Sequence, residues 1–342
     1  MKQLTIKDIA ERAGVTKATV SMVINDYKRI PQATKDRIRK IMEELDFHPN
    51  ESARVLAKGR TEAIAFIATR YAAPFISNVL DSLEQRAFYA NRYVQGVVPY
   101  STRNEQEVKE LFLKKILTGK KADAVIMLTV KPSEETAAHY KKAGIPLVLI
   151  ENRMKDAHSI IIDNFYGAEK AAAHFIKTGR KNAGLIVGEA IQPPSRDINM
   201  PAIDRRAGFI SGLKKHGLEL PEKNIEVIHA YNYEDGKRSL DNFLKKGAGL
   251  DAVFCAAGDM VAMGLLERAN ELGIRIPDDL AVIGFDDVLA ARHLNPPLTT
   301  VRQPLDEIGI MAFDMAIDAI DGKLKTFKHI KIEPDLIIRK SA

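Results

Sequence analysis

Two groups of side chains in this 342-residue sequence have the types and spacing to do chemistry. The first lies in VTKATVSMVIN, residues 15 to 25, where Lys17 and Ser21 stand four apart with Ala18 and Met22 beside them. On a helix these share one face, and hydrogen-bonding groups next to small apolar ones can meet phosphates and base edges. The second is a carboxylate and a guanidinium far apart in the chain. Asp286 follows the strand-like LAVIGF and Arg205 opens the helix-like DRRAGFISGL, so both can converge on a polar ligand at a cleft. Taken alone, Asp286 also fits a helix N-cap or a turn, and Arg205 a surface salt bridge. Asp286 and Asp287 resemble a carboxylate pair, but neighbours in a turn point in different directions. No Walker A sequence, GxGxxG after a strand or GxSxG elbow occurs, and the 8 His and single Cys255 lack metal or triad spacing. The chemistry expected is binding, with no catalytic residue, metal or cofactor.

The first group needs helices to present it. Ile6, Ile9, Ala10 and Ala13 recur at helical spacing, Thr5 suits an N-cap, and Gly14 follows where a left-handed stop is needed. Thr16 can cap a second helix whose buried stripe is Val20, Val23 and Ile24, which turns Lys17, Ala18, Ser21 and Met22 outward. A third helix from about Gln32 to Leu45 buries Ile38, Ile41, Met42 and Leu45 and leaves Lys35, Arg37, Arg39 and Lys40 wet. This is a helix-turn-helix whose second helix can enter a major groove. Charge agrees: residues 1 to 60 hold 13 Lys and Arg against 8 Asp and Glu, whereas the other 282 hold 38 against 37. A small basic unit on a near-neutral body is suited to a polyanion. FHPNESARVLAKGR, residues 47 to 60, carries Arg54, Lys58 and Arg60 but too few apolar residues for a stable isolated helix. Leu56 has no obvious core to enter and could wedge between base steps.

The second group needs a larger scaffold. From Thr61 on, AIAFIAT, YVQGVV, ADAVIML and IPLVLIE alternate with amphipathic helices, and a second series starts near Ser159 with SIIID, AGLIVGE, IEVIHA, LDAVFCA and LAVIGFD. Such alternation predicts two doubly wound parallel-sheet lobes with a ligand between the carboxyl ends of their strands.

TIKDIAERAGVTKATVSMVIN at 5 to 25, HPNESARVLAKGRT at 48 to 61, DRRAGF, IGFDD and PLTTVRQP, in this order, resemble the LacI/GalR family of bacterial transcription regulators. The resemblance implies an N-terminal all-α helix-turn-helix domain (1 to 47), a hinge helix (48 to 60) and a periplasmic-binding-protein-like α/β effector domain (61 to 342). It implies three crossovers, placed near 159 to 163, 287 to 291 and 321 to 324. Lobe 1 would then hold about 61 to 160 and 290 to 321, and lobe 2 about 161 to 289 and 322 to 342. DNA contacts are implied for Thr5, Thr16, Lys17, Ala18, Thr19, Ser21, Met22, Asn25, Arg29 and Asn50, with Leu56 wedging the central step and Ala53 beside it in the minor groove.

At Met22 the family usually carries an arginine that pairs with a guanine, a contact a thioether cannot make; Met22 suits a thymine methyl, or packing on the neighbouring helix. Effector contacts are implied for Arg205 and Asp286. Phe75, Ile76 and Tyr231 fall where relatives place pocket walls, although each also suits a core and Ile76 suits it better; Glu151 is a further polar candidate. Many sugar-responsive relatives have an asparagine where CAAGDMVAMG has Gly258, and Asp259 reads as the N-cap of the following helix. A sugar or sugar derivative is the family default, with a purine or other metabolite left open.

The function expected is a cytoplasmic repressor that binds a palindromic operator as a homodimer, because one helix-turn-helix reads only a few base pairs. The sequence ends in IRKSA after its last strand, without the leucine-heptad helix that makes some relatives tetramers. A solute-binding module without DNA function is the alternative, opposed by the basic N-terminal unit and the absence of a signal-like segment. No run of about 18 apolar residues predicts a membrane span.

Overall fold

The structure is a computed structural model that describes residues 4–24, 27, 29–47, 60–90, 96–192 and 197–342. Two compact units divide after Thr61.

The first unit has three helices, α1 (Ile6–Ala13), α2 (Lys17–Ile24) and α3 (Gln32–Glu44). The N-terminus of α1 is closed by Asp8, whose carboxylate accepts from the Thr5 N–H at 2.7 Å. Gly14 stops the helix at φ 65°, and the Val15 N–H then returns to the Ala10 carbonyl at 3.0 Å. The Thr16 hydroxyl accepts from the Thr19 N–H at 3.1 Å and so starts α2. Ile9, Ala13, Val20, Val23, Ile38 and Phe47 form one small core. Lys35 departs from expectation: it is 8% exposed rather than wet. It stands one turn before Ile38 on the same stripe, so its methylene stem joins the buried face.

The second unit contains two six-stranded sheets. The first is built from β1 (Ala63–Ala68), β2 (Gly96–Ser101), β3 (Ala124–Leu128), β4 (Leu147–Ile150), β5 (His158–Ile162) and β13 (His329–Ile332). Its order is β13-β5-β4-β3-β1-β2, all parallel. The second is built from β6 (Ala183–Gly188), β9 (Ile225–Ile228), β10 (Ala252–Cys255), β11 (Ala281–Asp286), β12 (Thr299–Arg302) and β14 (Asp335–Ile337), in the order β14-β12-β11-β10-β6-β9. Only its edge strand β14 runs antiparallel. A two-stranded antiparallel ribbon, β7 (Ile191–Gln192) with β8 (Asp197–Ile198), follows β6.

Both faces of each sheet are covered, which is why strands such as β1 are buried at every position. The first sheet packs α4 (Pro74–Ala90) and α11 (Leu305–Ile320) on one face through Val79, Leu83, Ile308 and Phe313. Its other face carries α5 (Gln106–Thr118) and α6 (Glu134–Ala143) through Leu113, Ile116 and Tyr140. On the second sheet α7 (Asn164–Lys177) and α8 (Met200–Lys214) bury Phe175 and Phe209 on one face. There α9 (Tyr233–Lys245) and α10 (Asp259–Glu271) bury Phe243 and Leu265 on the other.

Sheet membership corrects the expected crossovers. The strand SIIID, grouped with the second series, pairs with β4 in the first sheet, so the chain crosses at Asp163. β12 continues the second sheet, with Ile283 opposite Thr299 and Phe285 opposite Val301, so the next crossing is at Gln303–Pro304, not 287 to 291. Asp321 merely ends α11, and the chain returns to the first sheet as β13 before crossing at Glu333–Pro334, not 321 to 324. Each lobe therefore contains a segment assigned to the other. Among the described residues no helix is long and apolar enough to cross a membrane.

Candidate DNA-reading face and effector cavity

The outward face of α2 follows from its buried one. Val20 and Val23 are buried, and the opposite side shows Lys17 and Ala18 exposed with Ser21 half-buried. Met22 is 40% exposed, so it is presented to solvent and not folded onto a neighbouring helix. Arg29 is exposed as well. The threonines differ from the other candidates because their hydroxyls already serve the helix ends. Thr5 Oγ1 donates to Asp8 at 2.6 Å, and the Thr16 and Thr19 hydroxyls meet at 2.9 Å. Asn25, Asn50, Ala53 and Leu56 lie outside the described residues, as does most of the hinge segment.

Between the lobes lies a cavity of about 260 Å³, and Phe75, Ile76, Glu151, Arg205, Tyr231 and Asp286 all line it. Ile76 serves also as core, being 4% exposed. Arg205 sits in the second turn of α8, which begins earlier than expected at Met200. Its Nε donates to Asn164 Oδ1 at 2.7 Å and its Nη1 to the Ala256 carbonyl at 2.8 Å. Its guanidinium lies 3.6 Å from the centre of the Phe285 ring. Arg205 is thus fixed from three sides before any ligand arrives. Asn164 also donates to Glu151 Oε2 at 2.6 Å, and the Ile162 N–H donates to Glu151 Oε1 at 2.6 Å. Glu151, Asn164 and Arg205 form one buried chain of hydrogen bonds across the first crossover.

Asp286 ends β11 at φ 114°, and Asp287 follows at φ 57°. Non-glycine residues adopt such backbone angles only where surroundings over-determine them, and here they do. Gln303 donates to Asp286 Oδ1 at 2.6 Å, Arg339 to Asp287 Oδ1 at 2.6 Å, and the Val288 N–H to Asp259 Oδ2 at 2.9 Å. Asp259 is not the N-cap of α10; that position is Gly258, at φ 118°. Asp259 is instead fully buried and takes a second hydrogen bond, 2.6 Å, from the Thr300 hydroxyl. Gly258 is where asparagine was missed, and it has room for little else. A Cβ there would come within 3.0 Å of Asp286 Oδ2.

Burial sets the electrostatics. It pushes the Asp286 carboxyl up to about 6, against the restraint of Arg205 and Gln303. It raises Glu151 against the Ile162 N–H and the Arg205 charge, raises Asp259 with the help of the nearby Asp286 charge, and lowers Arg205. Tyr231 is raised by burial as well, and Asn199 donates to its hydroxyl. Gln303 Oε1 is buried without a hydrogen-bond partner. The floor of the cavity thus combines a fixed cation with acceptors held ready for N–H or O–H groups. Asn164 and Gln303 are additions to the sequence reading. Asn164 directly follows the strand SIIID, a place where a polar residue reads as a helix cap, and Gln303 was assigned to the wrong lobe.

A DNA-reading helical unit joined to a two-lobed, ligand-sized cavity defines an effector-responsive transcription regulator. Residues 5–50 match bacterial regulatory proteins of the lacI family, and residues 172–342 match the periplasmic binding protein-like domain. The HTH-type transcriptional repressor PurR of Edwardsiella ictaluri (strain 93-146) is 33% identical over 98% of this chain and 96% of its own length. The transcriptional regulator CelR–cellobiose complex is 25% identical with a TM-score of 0.72, covering 99% of this chain and 100% of that one. The lac repressor dimer bound to operator and the anti-inducer ONPF, 23% identical with a TM-score of 0.83 and 99% of each chain covered, shares the fold. The chain belongs to the LacI family of bacterial regulatory proteins. Its similar relatives are transcriptional repressors, not enzymes.

Proposed function

We propose that the chain represses transcription in the cytoplasm by binding a palindromic operator as a homodimer, and that a small ring-shaped metabolite in the interlobe cavity controls it. The single observation that carries the effector reading is the pairing of a pre-fixed Arg205 with an acceptor pair, Asp286 and Gln303, in one interlobe cavity. Ligand acceptors would face the guanidinium and ligand donors the carboxylate. A sugar or sugar derivative meets both demands with its hydroxyls, and the cellobiose bound by a relative supports that choice. A purine is favoured by a separate observation: Phe75 from one lobe and Tyr231 from the other line the same cavity and could enclose a flat ring. Lys17, Ala18, Ser21, Met22 and Arg29 are proposed to read or grip the operator. Asn25, Asn50, Ala53 and Leu56 are proposed contacts from outside the described residues.

A thermal-shift screen of monosaccharides, disaccharides, purine bases and nucleosides separates the two effector classes, since a bound ligand raises stability by mass action. For a hit, Arg205→Ala or Asp286→Ala should each cost about 2 kcal/mol or more of ligand affinity while ligand-free operator binding persists. Calorimetry showing undiminished binding in both variants would overturn the site. Operator binding that is independent of salt would overturn the DNA reading.

A further inference from the structure

Lys109 is 2% exposed, yet it carries an ammonium group. It lies on α5 in the first lobe, and its Nζ donates at 2.8 Å to Asp197 Oδ2 on β8 of the second lobe. A lysine is almost never buried so fully unless it is paired. Lys109 does not line the cavity, but the ribbon that it holds does, through Gln192 and Ile198, as does Asn199 directly after it. Asn199 extends the connection inward. Its side chain accepts from the Ala202 N–H at the start of α8, the helix of Arg205, and donates to the Tyr231 hydroxyl.

The topology shows why this position matters. The three crossovers lie next to β5, β13, β12 and β14, at one edge of both sheets. α5 follows β2, the opposite edge strand of the first sheet, and the ribbon follows β6, beside the opposite edge strand β9 of the second. The other interlobe contacts described above, such as Asn164 with Glu151, sit at the crossovers. The Lys109–Asp197 pair sits at the free edge, where a given contact has the longest lever against opening.

We infer that Lys109 is a positioning residue: through Asp197 it clasps the ribbon to the first lobe at the edge opposite the crossovers, and so holds the lobes closed around the cavity. The clasp acts without touching the effector and does not depend on which effector binds. Removing the Asp197 carboxylate takes from the buried Lys109 Nζ the acceptor it donates to, and removing Lys109 takes away the link between the lobes; either favours opening towards water.

The test uses the full-length protein without ligand. Hydrogen exchange is followed over 191–192 and 197–199, and the interlobe distance is measured between spin labels at Glu135→Cys and Lys245→Cys. Lys109→Met should raise exchange in the ribbon by roughly tenfold or more and lengthen the interlobe distance, with the cores behind β3 and β10 still protected. The reversed pair, Lys109→Glu with Asp197→Lys, should restore both readings. If Lys109→Met fails to fold, Asp197→Asn at the more exposed partner carries the same expectation. Unchanged exchange and distance in a folded single variant would overturn the clasp. So would a reversed pair no better than the single variants, or an exchange increase spread evenly over both lobes.

Discussion

Met22 and Asp286 are single residues whose surroundings fix what each can do. Met22 projects from α2 with 40% of its surface exposed, at a place where a guanine-pairing arginine is usual in the family. The operator should therefore lack a strongly preferred guanine in each half-site, and Met22→Arg should create a preference worth about 1 to 3 kcal/mol per half-site. Binding-site selection reads this directly, and identical base preferences for the two proteins would refute it. Asp286 carries a pH dependence. Its folded value near 6 lies above the ordinary carboxylate range, so the native state holds that proton more tightly than the unfolded chain does. Its contribution to stability therefore rises as pH falls through 6 and levels off near 4, and Glu151 and Asp259 shift in the same direction. An effector that hydrogen-bonds the Asp286 carboxylate should bind more weakly below pH 6 and release protons when it binds near pH 6. Calorimetry in two buffers of different ionisation enthalpy measures that release, and Asp286→Asn should abolish it. Both were legible as candidates in the sequence, Asp286 because it ends a recognisable strand and Met22 because the buried stripe of α2 turns it outward. Their partners were not: nothing local shows that Asn164 lies between Glu151 and Arg205, 41 positions before the arginine it receives from.

At the scale of elements, the helices of the first unit were readable almost to the residue. Apolar spacing sets the buried stripe of α1, and Gly14 at φ 65° sets its end. Lys35 was missed because charge was weighed before position on the stripe. The strands from AIAFIAT to LAVIGFD were equally visible, but TTVR and HIKI were not read as strands, and β-branched character would not in any case say which neighbour a strand pairs with. That is the physical reason two of the three crossovers were displaced. The loop between β10 and α10 makes a sharper case. Gly258 at φ 118° leaves 3.0 Å between a would-be Cβ and Asp286, so the asparagine of many relatives cannot simply be restored. Gly258→Asn should destabilise the protein by about 1 to 3 kcal/mol from backbone strain alone and should not improve sugar binding. Denaturant unfolding gives the first quantity; a variant as stable as the parent would show that the loop can rearrange.

At the scale of the whole molecule, three crossings of the chain make each lobe discontinuous. The first sheet waits for β13 at His329–Ile332 and the second for β14 at Asp335–Ile337. Neither lobe can be cut out as one stretch of sequence, so the two should unfold together. A chain interrupted after Gly322 should lose the thermal transition of both lobes, whereas survival of half of the unfolding enthalpy in calorimetry would show that one lobe stands alone. The same arrangement has a consequence during synthesis. Translation runs from the N-terminus, so the unit with its own core around Ile9, Val20 and Ile38 is finished when residue 61 emerges. The sensor cannot close either sheet until roughly 270 further residues have followed, at about 5 to 20 residues per second. A ribosome that stalls, or a frameshift anywhere in that long interval, yields a product with the helical unit complete and the effector cavity missing.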